Sequence, residues 1–205
     1  MKNISNLMIF KYRGVLTAVF VAVLFTAVVF STPQVRFGSP IGFTMLLLGW
    51  IFFVLFAVIR TWATLYIGGR KSRELQTDGP YSVCRNPLYL GNFCFTLSGA
   101  FFLESLSLLA ATVIASYLYA RFVIKAEEQV LRDAFGKTFD DYVAKTPLII
   151  PNFSNYHARP TVEVNLWSLR KEMRRMLRAS LLPVLAGVLI HLRNAPWWPH
   201  WFTMP

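Results

Sequence analysis

Four apolar runs, each close to the length of a membrane-spanning helix, constrain the fold of this chain more than any other feature. They cover residues 14–30, 41–59, 88–103 and 106–120. A helix needs roughly 17 to 25 apolar residues to cross the hydrocarbon core of a bilayer. The 205-residue sequence is 55% apolar and 16% aromatic, which is more than ordinary soluble domains contain. The sequence therefore predicts an all-α, polytopic membrane helical bundle with about four core spans.

The basic residues indicate how this bundle is oriented. The formal net charge is +11, and Lys and Arg collect on the cytoplasmic flanks of membrane spans. Basic residues cluster before the first run, between the second and third, and after the fourth; the two other connections contain only Arg36 and Glu104 as charged residues. We expect a multi-pass integral membrane protein with both ends of the core in the cytoplasm, in the cell inner membrane if the source is bacterial. Nucleic acid is not an expected partner.

The chain divides into a predicted transmembrane core, residues 1–155, and a C-terminal tail, residues 156–205. In the tail, apolar residues recur at helical spacing from Val162 to Leu177, and five basic residues surround the other side: Arg170, Lys171, Arg174, Arg175 and Arg178. This pattern is typical of an amphipathic helix on anionic lipid, so membrane lipids are expected partners. Residues 179–192 are apolar but short, and they contain Pro183. We predict that they form an interfacial or re-entrant segment.

The stretch GPYSVCRNPLYLGN, residues 79–92, combines turn residues with a helix start. Asn86 is a favoured N-cap, and Pro87 suits the first helical position. Arg85 stands directly before this helix start, whose free N–H groups and positive dipole attract a carboxylate or a phosphate. Tyr81 and Tyr89 add aromatic rings and hydroxyls. A structural interpretation is also open: a capped helix whose arginine extends to the lipid headgroups.

A second stretch, KAEEQVLRDAFGKTFDDY at residues 125–142, contains two adjacent acids with different neighbours. Glu128 has Lys125 and Arg132 at helical spacing, so a surface ion pair accounts for it. Glu127 has apolar residues three and four positions away and therefore lies on the face toward the bundle. An acid near membrane depth is costly without a cation or a donor, which makes Glu127 a functional candidate. The structural alternative is an internal ion pair with the arginine of the first stretch.

No metal site is expected, because the three histidines, His157, His191 and His200, are widely spaced and no Cys/His cluster has zinc spacing. The two cysteines, Cys84 and Cys94, are predicted to be free thiols. The sequence contains no phosphate-binding glycine motif of a soluble nucleotide-binding domain.

Taken together, the two stretches resemble the isoprenylcysteine carboxyl methyltransferase and phospholipid methyltransferase family. The resemblance covers residues 60–151, where Gly-Pro-Tyr, Arg-(His or Asn)-Pro-x-Tyr, and Glu-Glu followed by Phe-Gly and Tyr occur in the family's order. It implies an integral membrane enzyme that binds S-adenosylmethionine and methylates a lipophilic small molecule, a lipid or a lipidated substrate. By position, the implied cofactor site comprises Gly79, Pro80, Tyr81, Arg85, Asn86, Pro87, Tyr89, Glu127 and Glu128.

The chemistry of the cofactor agrees with these positions. Its carboxylate suits Arg85, and its ammonium and sulfonium suit Glu127. Two departures from the family pattern concern the methyl acceptor: Asn86 stands where His is common, and Lys145 replaces an arginine near the end of the second motif. A lysine holds an anionic acceptor only as a point charge. Arg85, Glu127 and Lys145 are the candidate catalytic residues, and the acceptor stays open among a carboxylate, an amine, a hydroxyl and a thiol.

Two other functions agree with parts of the sequence. Membrane sterol reductases resemble the family through a comparable Arg-Asn-Pro-x-Tyr segment and use NADPH, but the Glu-Glu and Phe-Gly pattern favours the methyltransferase. A non-enzymatic scaffold with a lipid-binding tail would explain residues 162–178, although it leaves Glu127 unexplained. The oligomeric state stays open.

Overall fold

The chain is described by a computed structural model at residues 22–23, 25–33, 35, 38–68 and 74–201. Residues 25–29 are helical, whereas residues 14–21 of the predicted first span lie outside the described residues. The elements in the described part of the chain are all helices. The predicted all-α fold is therefore confirmed.

The first long helix, α1, extends from Pro40 to Ile67. The hydroxyl of Ser39 caps it by accepting a hydrogen bond from the N–H of Gly42 at 3.1 Å. Its 28 residues are more than enough to cross the hydrocarbon core of a bilayer. Because α1 continues well past the apolar run that predicts it, Arg60 lies within the helix and not in the loop after it.

A single turn, α2 (Pro80–Val83), precedes the longer helix α3 (Pro87–Phe102). Pro87 occupies the first position of α3, as predicted. Asn86 is the N-cap residue, as predicted, but its side chain makes no capping hydrogen bond with the helix. Its Nδ2 donates to the carbonyl of Leu148 at 3.3 Å instead, since a later loop lies beside the start of α3.

The next helical segment changes type along its length. Helix α4 (Leu106–Tyr119) passes through a π-helical turn at Ala120–Ile124 into α5 (Lys125–Phe135). Gly136 ends α5 with a φ of 53°, a conformation that glycine adopts easily. Helix α6 (Lys137–Lys145) then folds back against α5.

The C-terminal tail contains α7 (Leu166–Ala179) and α8 (Leu181–Arg193). Ser180 between them keeps helical backbone angles, so the two helices follow each other as one 28-residue segment that is long and apolar enough to cross a membrane. Residues 179–192 therefore continue α7, where the sequence predicts a separate interfacial or re-entrant element. A length criterion applied to residues 179–192 alone cannot predict that Ser180 continues the helix.

Within the described part of the chain, three segments have the length and composition of membrane spans: α1, the α4–α5 segment and the α7–α8 segment. Helix α3 has 16 residues and packs along α1. Arg193 connects the end of α8 to the end of α3, because its guanidinium donates to the carbonyls of Leu103 at 3.4 Å and Ser31 at 3.2 Å. The result is a membrane helical bundle to which the tail contributes a helix.

The pair α1 and α3 forms the centre of this bundle. At Gly49, an added Cβ would lie 2.6 Å from a ring carbon of Phe102, and Phe56 and Cys94 are buried in the same interface. Small residues at such positions let helices in membranes approach closely. The close packing holds the start of α3 beside the carboxyl-terminal half of α1.

Candidate functional site

A polar cleft of about 320 Å³ lies where the carboxyl-terminal half of α1 meets the start of α3 and the two short helices α5 and α6. Seven of the nine residues predicted to hold a cofactor line this cleft: Tyr81, Arg85, Asn86, Pro87, Tyr89, Glu127 and Glu128. The fold thus brings together two stretches that lie about forty residues apart in the sequence.

Arg85 is bonded on several sides by protein groups. Its Nε donates to Glu128 at 2.8 Å, and its Nη1 donates to the carbonyls of Val143 and Thr146, both at 2.9 Å. The Arg85 and Glu128 side chains are 12% and 13% exposed, so this is a largely buried ion pair. Arg85 therefore ties the end of α6 to the start of α3.

This pairing corrects two expectations. The structural alternative of an internal ion pair with Arg85 is right in type, but the partner is Glu128 and not Glu127. The predicted surface ion pair of Glu128 with Lys125 and Arg132 is wrong, because α6 covers that face of α5. Arg132 pairs with Asp140 on α6, from Nε to Oδ1 at 2.7 Å.

Glu127 lines the cleft and is held from α3. The hydroxyl of Tyr89 donates a short hydrogen bond to Oε2 of Glu127. The Tyr89 ring in turn contacts the Tyr119 ring, with 5.5 Å between centroids. The prediction that Glu127 faces the bundle is confirmed, and its carboxylate is fixed at the edge of the cleft by a phenol from the neighbouring helix.

Tyr81 lines the cleft, and its hydroxyl is buried without a hydrogen-bond partner within the described residues. Its side chain is 6% exposed, and burial raises the pKa of Tyr81 far above its ordinary value. The backbone carbonyl of Tyr81 accepts from the hydroxyl of Tyr142 at 2.6 Å, which fixes the turn. A buried polar atom without a partner usually has a role or an absent ligand, so the hydroxyl of Tyr81 is a candidate donor to a ligand of the cleft.

The three remaining predicted residues do not line the cleft. Gly79 shapes the turn before Tyr81, because its φ is 59° and an added Cβ would lie 2.4 Å from the Tyr66 ring. Pro80 is buried beneath this turn. Lys145 is exposed at the end of α6, where its carbonyl accepts from Nδ2 of Asn155 at 2.7 Å. The expected role of Lys145 in holding an acceptor is not supported by this placement, because its exposed side chain lies outside the cleft.

A buried ion pair that the sequence analysis does not anticipate lies at the same cleft. Arg60 donates to both carboxylate oxygens of Glu172 on α7, from Nε at 2.6 Å and from Nη2 at 3.0 Å. Its Nη1 donates to Oδ1 of Asn92 on α3 at 2.7 Å. Two signals in the sequence point to this pair: an arginine that directly continues an apolar run, and a lone acid among the basic residues of α7.

An apolar cavity of about 440 Å³ adjoins the cleft between α3 and α4. Its walls are mainly aromatic and aliphatic, with Phe25, Phe93, Leu108, Ala111, Ala115 and Leu182 among them. Tyr89 and Asn92 line both the cleft and the cavity; we call this pair the junction. The site therefore has a polar compartment and an apolar compartment that share two side chains.

No group of three or more His, Cys, Asp or Glu side chains within the described ranges is placed to hold a metal ion. The side chains that line the cleft include the phenol of Tyr81, the carboxylate of Glu127 and the guanidinium of Arg85, so groups of both charges surround it.

Comparisons with known proteins agree with the motif analysis. Residues 38–138 match the family described as phospholipid methyltransferase. The nickel-cobalt-cadmium resistance protein NccN of Alcaligenes xylosoxydans xylosoxydans is 33% identical over 165 residues, which are 80% of this chain and 77% of the relative. The cobalt-zinc-cadmium resistance protein CzcN of Cupriavidus metallidurans is 36% identical over 136 residues, 66% of this chain and 62% of the relative. No solved structure matches.

Proposed function

The chain belongs to the phospholipid methyltransferase family, and we propose that it is a membrane methyltransferase that takes its methyl group from S-adenosylmethionine and transfers it to a lipophilic or membrane-embedded acceptor. The observation that carries this proposal is the junction, where the polar cleft and the apolar cavity share Tyr89 and Asn92. A charged, water-soluble cofactor and a lipophilic acceptor need two such compartments that meet at one point.

The residues of the cleft fit the proposed cofactor. The hydroxyl of Tyr81 is a donor without a partner in the described part of the chain, which suits an oxygen of the ligand. The carboxylate of Glu127 suits its ammonium group and lowers the energy of positive charge nearby. When bound, S-adenosylmethionine supplies an electrophilic methyl group on a positively charged sulfur.

We assign different roles to the two residues that the resemblance pairs. Glu127 would contact the cofactor directly, held in place by Tyr89. Arg85 would act mainly as a positioning residue, because Glu128, Val143 and Thr146 already accept its hydrogen bonds. Arg85 nevertheless lines the cleft, and its positive charge would favour an anionic group of the ligand.

The apolar cavity would hold the hydrocarbon part of the acceptor, with the reacting head group at the junction. Its walls are mainly apolar, so a chain or ring system buries apolar surface there at about 25 cal/mol for each Å². We propose that the cleft opens to the cytoplasm, because the basic residues of the chain cluster on the connections that form it, and that the membrane is the inner membrane of a bacterium.

Isothermal titration calorimetry of the purified, detergent-solubilised protein with S-adenosylhomocysteine tests which cofactor the protein binds. We expect one binding site, and NADPH is expected to give no heat. No binding of S-adenosylhomocysteine, or binding of NADPH alone, would reject the proposal in favour of a reductase. Incubation of native membranes with methyl-labelled S-adenosylmethionine and mass spectrometry of the products would then identify the acceptor.

The names of the two relatives suggest a physiological setting. Both are called resistance proteins for cobalt, cadmium and a third metal, and we propose that the methylated product contributes to tolerance of such cations. Growth of a deletion strain on cobalt, nickel or cadmium tests this proposal. Complementation by the wild type but not by Glu127→Gln would support it, and equal rescue by both would argue that methyl transfer is not involved.

A further inference from the structure

The side-chain amide of Asn92 has a fixed orientation at the junction. Nη1 of Arg60 donates to Asn92 at 2.7 Å, and a guanidinium only donates, so the atom that faces Arg60 is the amide oxygen. The amide nitrogen makes no hydrogen bond with the described residues. Two N–H donors are thereby left for a molecule that enters the cleft or the cavity.

Arg60 is itself fixed from two directions. Glu172 accepts from Nε and Nη2 in a bidentate pair, the strongest and most directional kind of side-chain contact. Gly91 lets the aliphatic part of Arg60 lie directly across α3, because an added Cβ at residue 91 would lie 2.5 Å from Cγ of Arg60. Helices α1, α3 and α7 thus meet at one buried guanidinium, and its position sets that of Asn92.

The charge is positive on the side of Asn92 that faces α7. Glu172 accepts from Arg175 as well as from Arg60, so one carboxylate faces two guanidinium groups there. The carboxylate of Glu127, which accepts from Tyr89 of the same junction, is the group that we assign to the cofactor. An ammonium head group placed against the Asn92 amide would meet N–H donors and positive charge. An oxygen that accepts hydrogen bonds would meet favourable partners in both respects.

We infer that Asn92 selects and orients the head group of the acceptor, and that Arg60 and Glu172 position Asn92 for this task. The inference rests on the proposed methyl transfer. The head group it specifies is a hydrogen-bond acceptor, such as a carboxylate or hydroxyl oxygen, and not an ammonium. Glu172 lies on α7, outside the region matched by the family, which ends at residue 138. The C-terminal tail therefore contributes to the site through this residue.

The inference is tested with three amphiphiles that share one hydrocarbon chain: hexadecanoic acid, hexadecanol and hexadecylamine. Each is added to the full-length protein in nanodiscs, and the readouts are the shift in thermal unfolding without cofactor and the transfer of label from methyl-labelled S-adenosylmethionine. We expect the acid or the alcohol to stabilise the wild type and to be methylated. Preferential stabilisation or methylation by the amine would overturn the inference.

Asn92→Asp separates orientation from folding. The new carboxylate still accepts from Arg60 but has no N–H donor, so binding and methylation of the oxygen-bearing amphiphile should fall by roughly ten- to a hundredfold. The dissociation constant of S-adenosylhomocysteine, measured in parallel, should change less than that of the amphiphile. Asn194→Asp makes the same chemical change at the far end of α8 and should leave both readouts unaltered. Full activity of Asn92→Asp toward the acid or alcohol would overturn the inference.

Glu172→Gln tests the positioning role. We expect KM for the oxygen-bearing amphiphile to rise about tenfold, with an unchanged dissociation constant for S-adenosylhomocysteine, whereas a purely structural role would change both together and contradict the assignment. If Glu172→Gln does not fold, Asn92→Asp still decides, because it keeps the ion pair. Failure of the wild type to bind S-adenosylhomocysteine would reject the proposed function, while the stabilisation by amphiphiles still reports on Asn92.

Discussion

Arg85 donates from Nε to the carboxylate of Glu128 at 2.8 Å, and both side chains are largely buried. The ion pair joins the start of α3 to α5, whereas the adjacent Glu127 accepts from the hydroxyl of Tyr89. Both acids line the cleft, but we assign them separate tasks: Glu128 holds the fold through Arg85, and Glu127 contacts the ligand.

Exchange of each acid for its amide should distinguish these tasks. Glu128→Gln leaves Arg85 with a weaker partner, so unfolding should require about 3 kcal/mol less free energy. Glu127→Gln should weaken binding of S-adenosylhomocysteine by about tenfold with little change in stability. Thermal unfolding in detergent and calorimetric titration measure the two effects. A loss of stability in Glu127→Gln as large as that in Glu128→Gln would contradict the assignment.

Tyr81→Phe should weaken the binding of S-adenosylhomocysteine by about tenfold, because it removes the hydroxyl available to the ligand. Stability should be unchanged or slightly higher, since that hydroxyl has no partner within the described part of the chain. Tyr142→Phe is the matched control. It loses the bond to the Tyr81 carbonyl and should destabilise the protein by about 1 kcal/mol. Unaltered affinity in Tyr81→Phe would exclude this hydroxyl from the site.

Gly91→Ala should destabilise the protein by about 1 to 3 kcal/mol, because the new methyl group overlaps the stem of Arg60. Gly187→Ala on α8 is the control, since no atom lies within 4 Å of an added Cβ there. Alanine favours a helix over glycine, so this control should gain up to about 1 kcal/mol. Chemical or thermal unfolding of both variants under one condition compares them. Equal effects would mean that Arg60 moves aside without cost.

Lys145→Ala should bind S-adenosylhomocysteine and transfer methyl groups as the wild type does. The lysine side chain lies outside both compartments of the site and is exposed. Initial rates at saturating and limiting acceptor would reveal any contribution. A rise in the KM of the acceptor would return Lys145 to the site.

Cys84 should make stability depend on alkaline pH. Burial raises the pKa of its thiol to about 11, from an ordinary value of 9.0. Above pH 9 the unfolded chain loses this proton while the folded chain keeps it, so stability falls as the pH rises from 9 toward 11. Below pH 8 the thiol contributes no slope. Unfolding of the wild type and Cys84→Ala between pH 7 and pH 10.5 should show a shallower alkaline decline in the variant, and parallel declines would contradict a buried thiol.

Motif order and apolar spacing predict the two stretches that form the cleft, because both are properties of the sequence alone. The structural alternative pairs Arg85 with Glu127, whereas Arg85 bonds Glu128, because the apolar spacing indicates only one buried face of α5. In the structure α6 covers a second face of α5, and Arg132 bonds Asp140 across that contact. Such a contact depends on how the chain turns at Gly136, which local spacing does not encode.

Two further differences lie at the ends of apolar runs. A charged residue marks the end of a predicted span, so the sequence predicts that Arg60 flanks the second span, although α1 continues to Ile67. By its own length the segment 179–192 is predicted to be a separate element, although Ser180 continues the helix from α7. In both places a buried partner, Glu172 for Arg60 and α3 for α8, stabilises helix that composition alone does not predict.

The π-helical turn at Ala120–Ile124 sets the phase between α4, which lines the apolar cavity, and α5, which places Glu127 in the cleft. Each α-helical residue advances the direction of a side chain by about 100°. Removing a single residue from the turn would therefore swing Glu127 away from Tyr89 while the apolar surface of α4 kept its alignment. The length of this turn therefore decides which side chain of α5 faces Tyr89. A deletion of one residue within it would remove the Glu127 carboxylate from the cleft without changing any residue that lines the cleft.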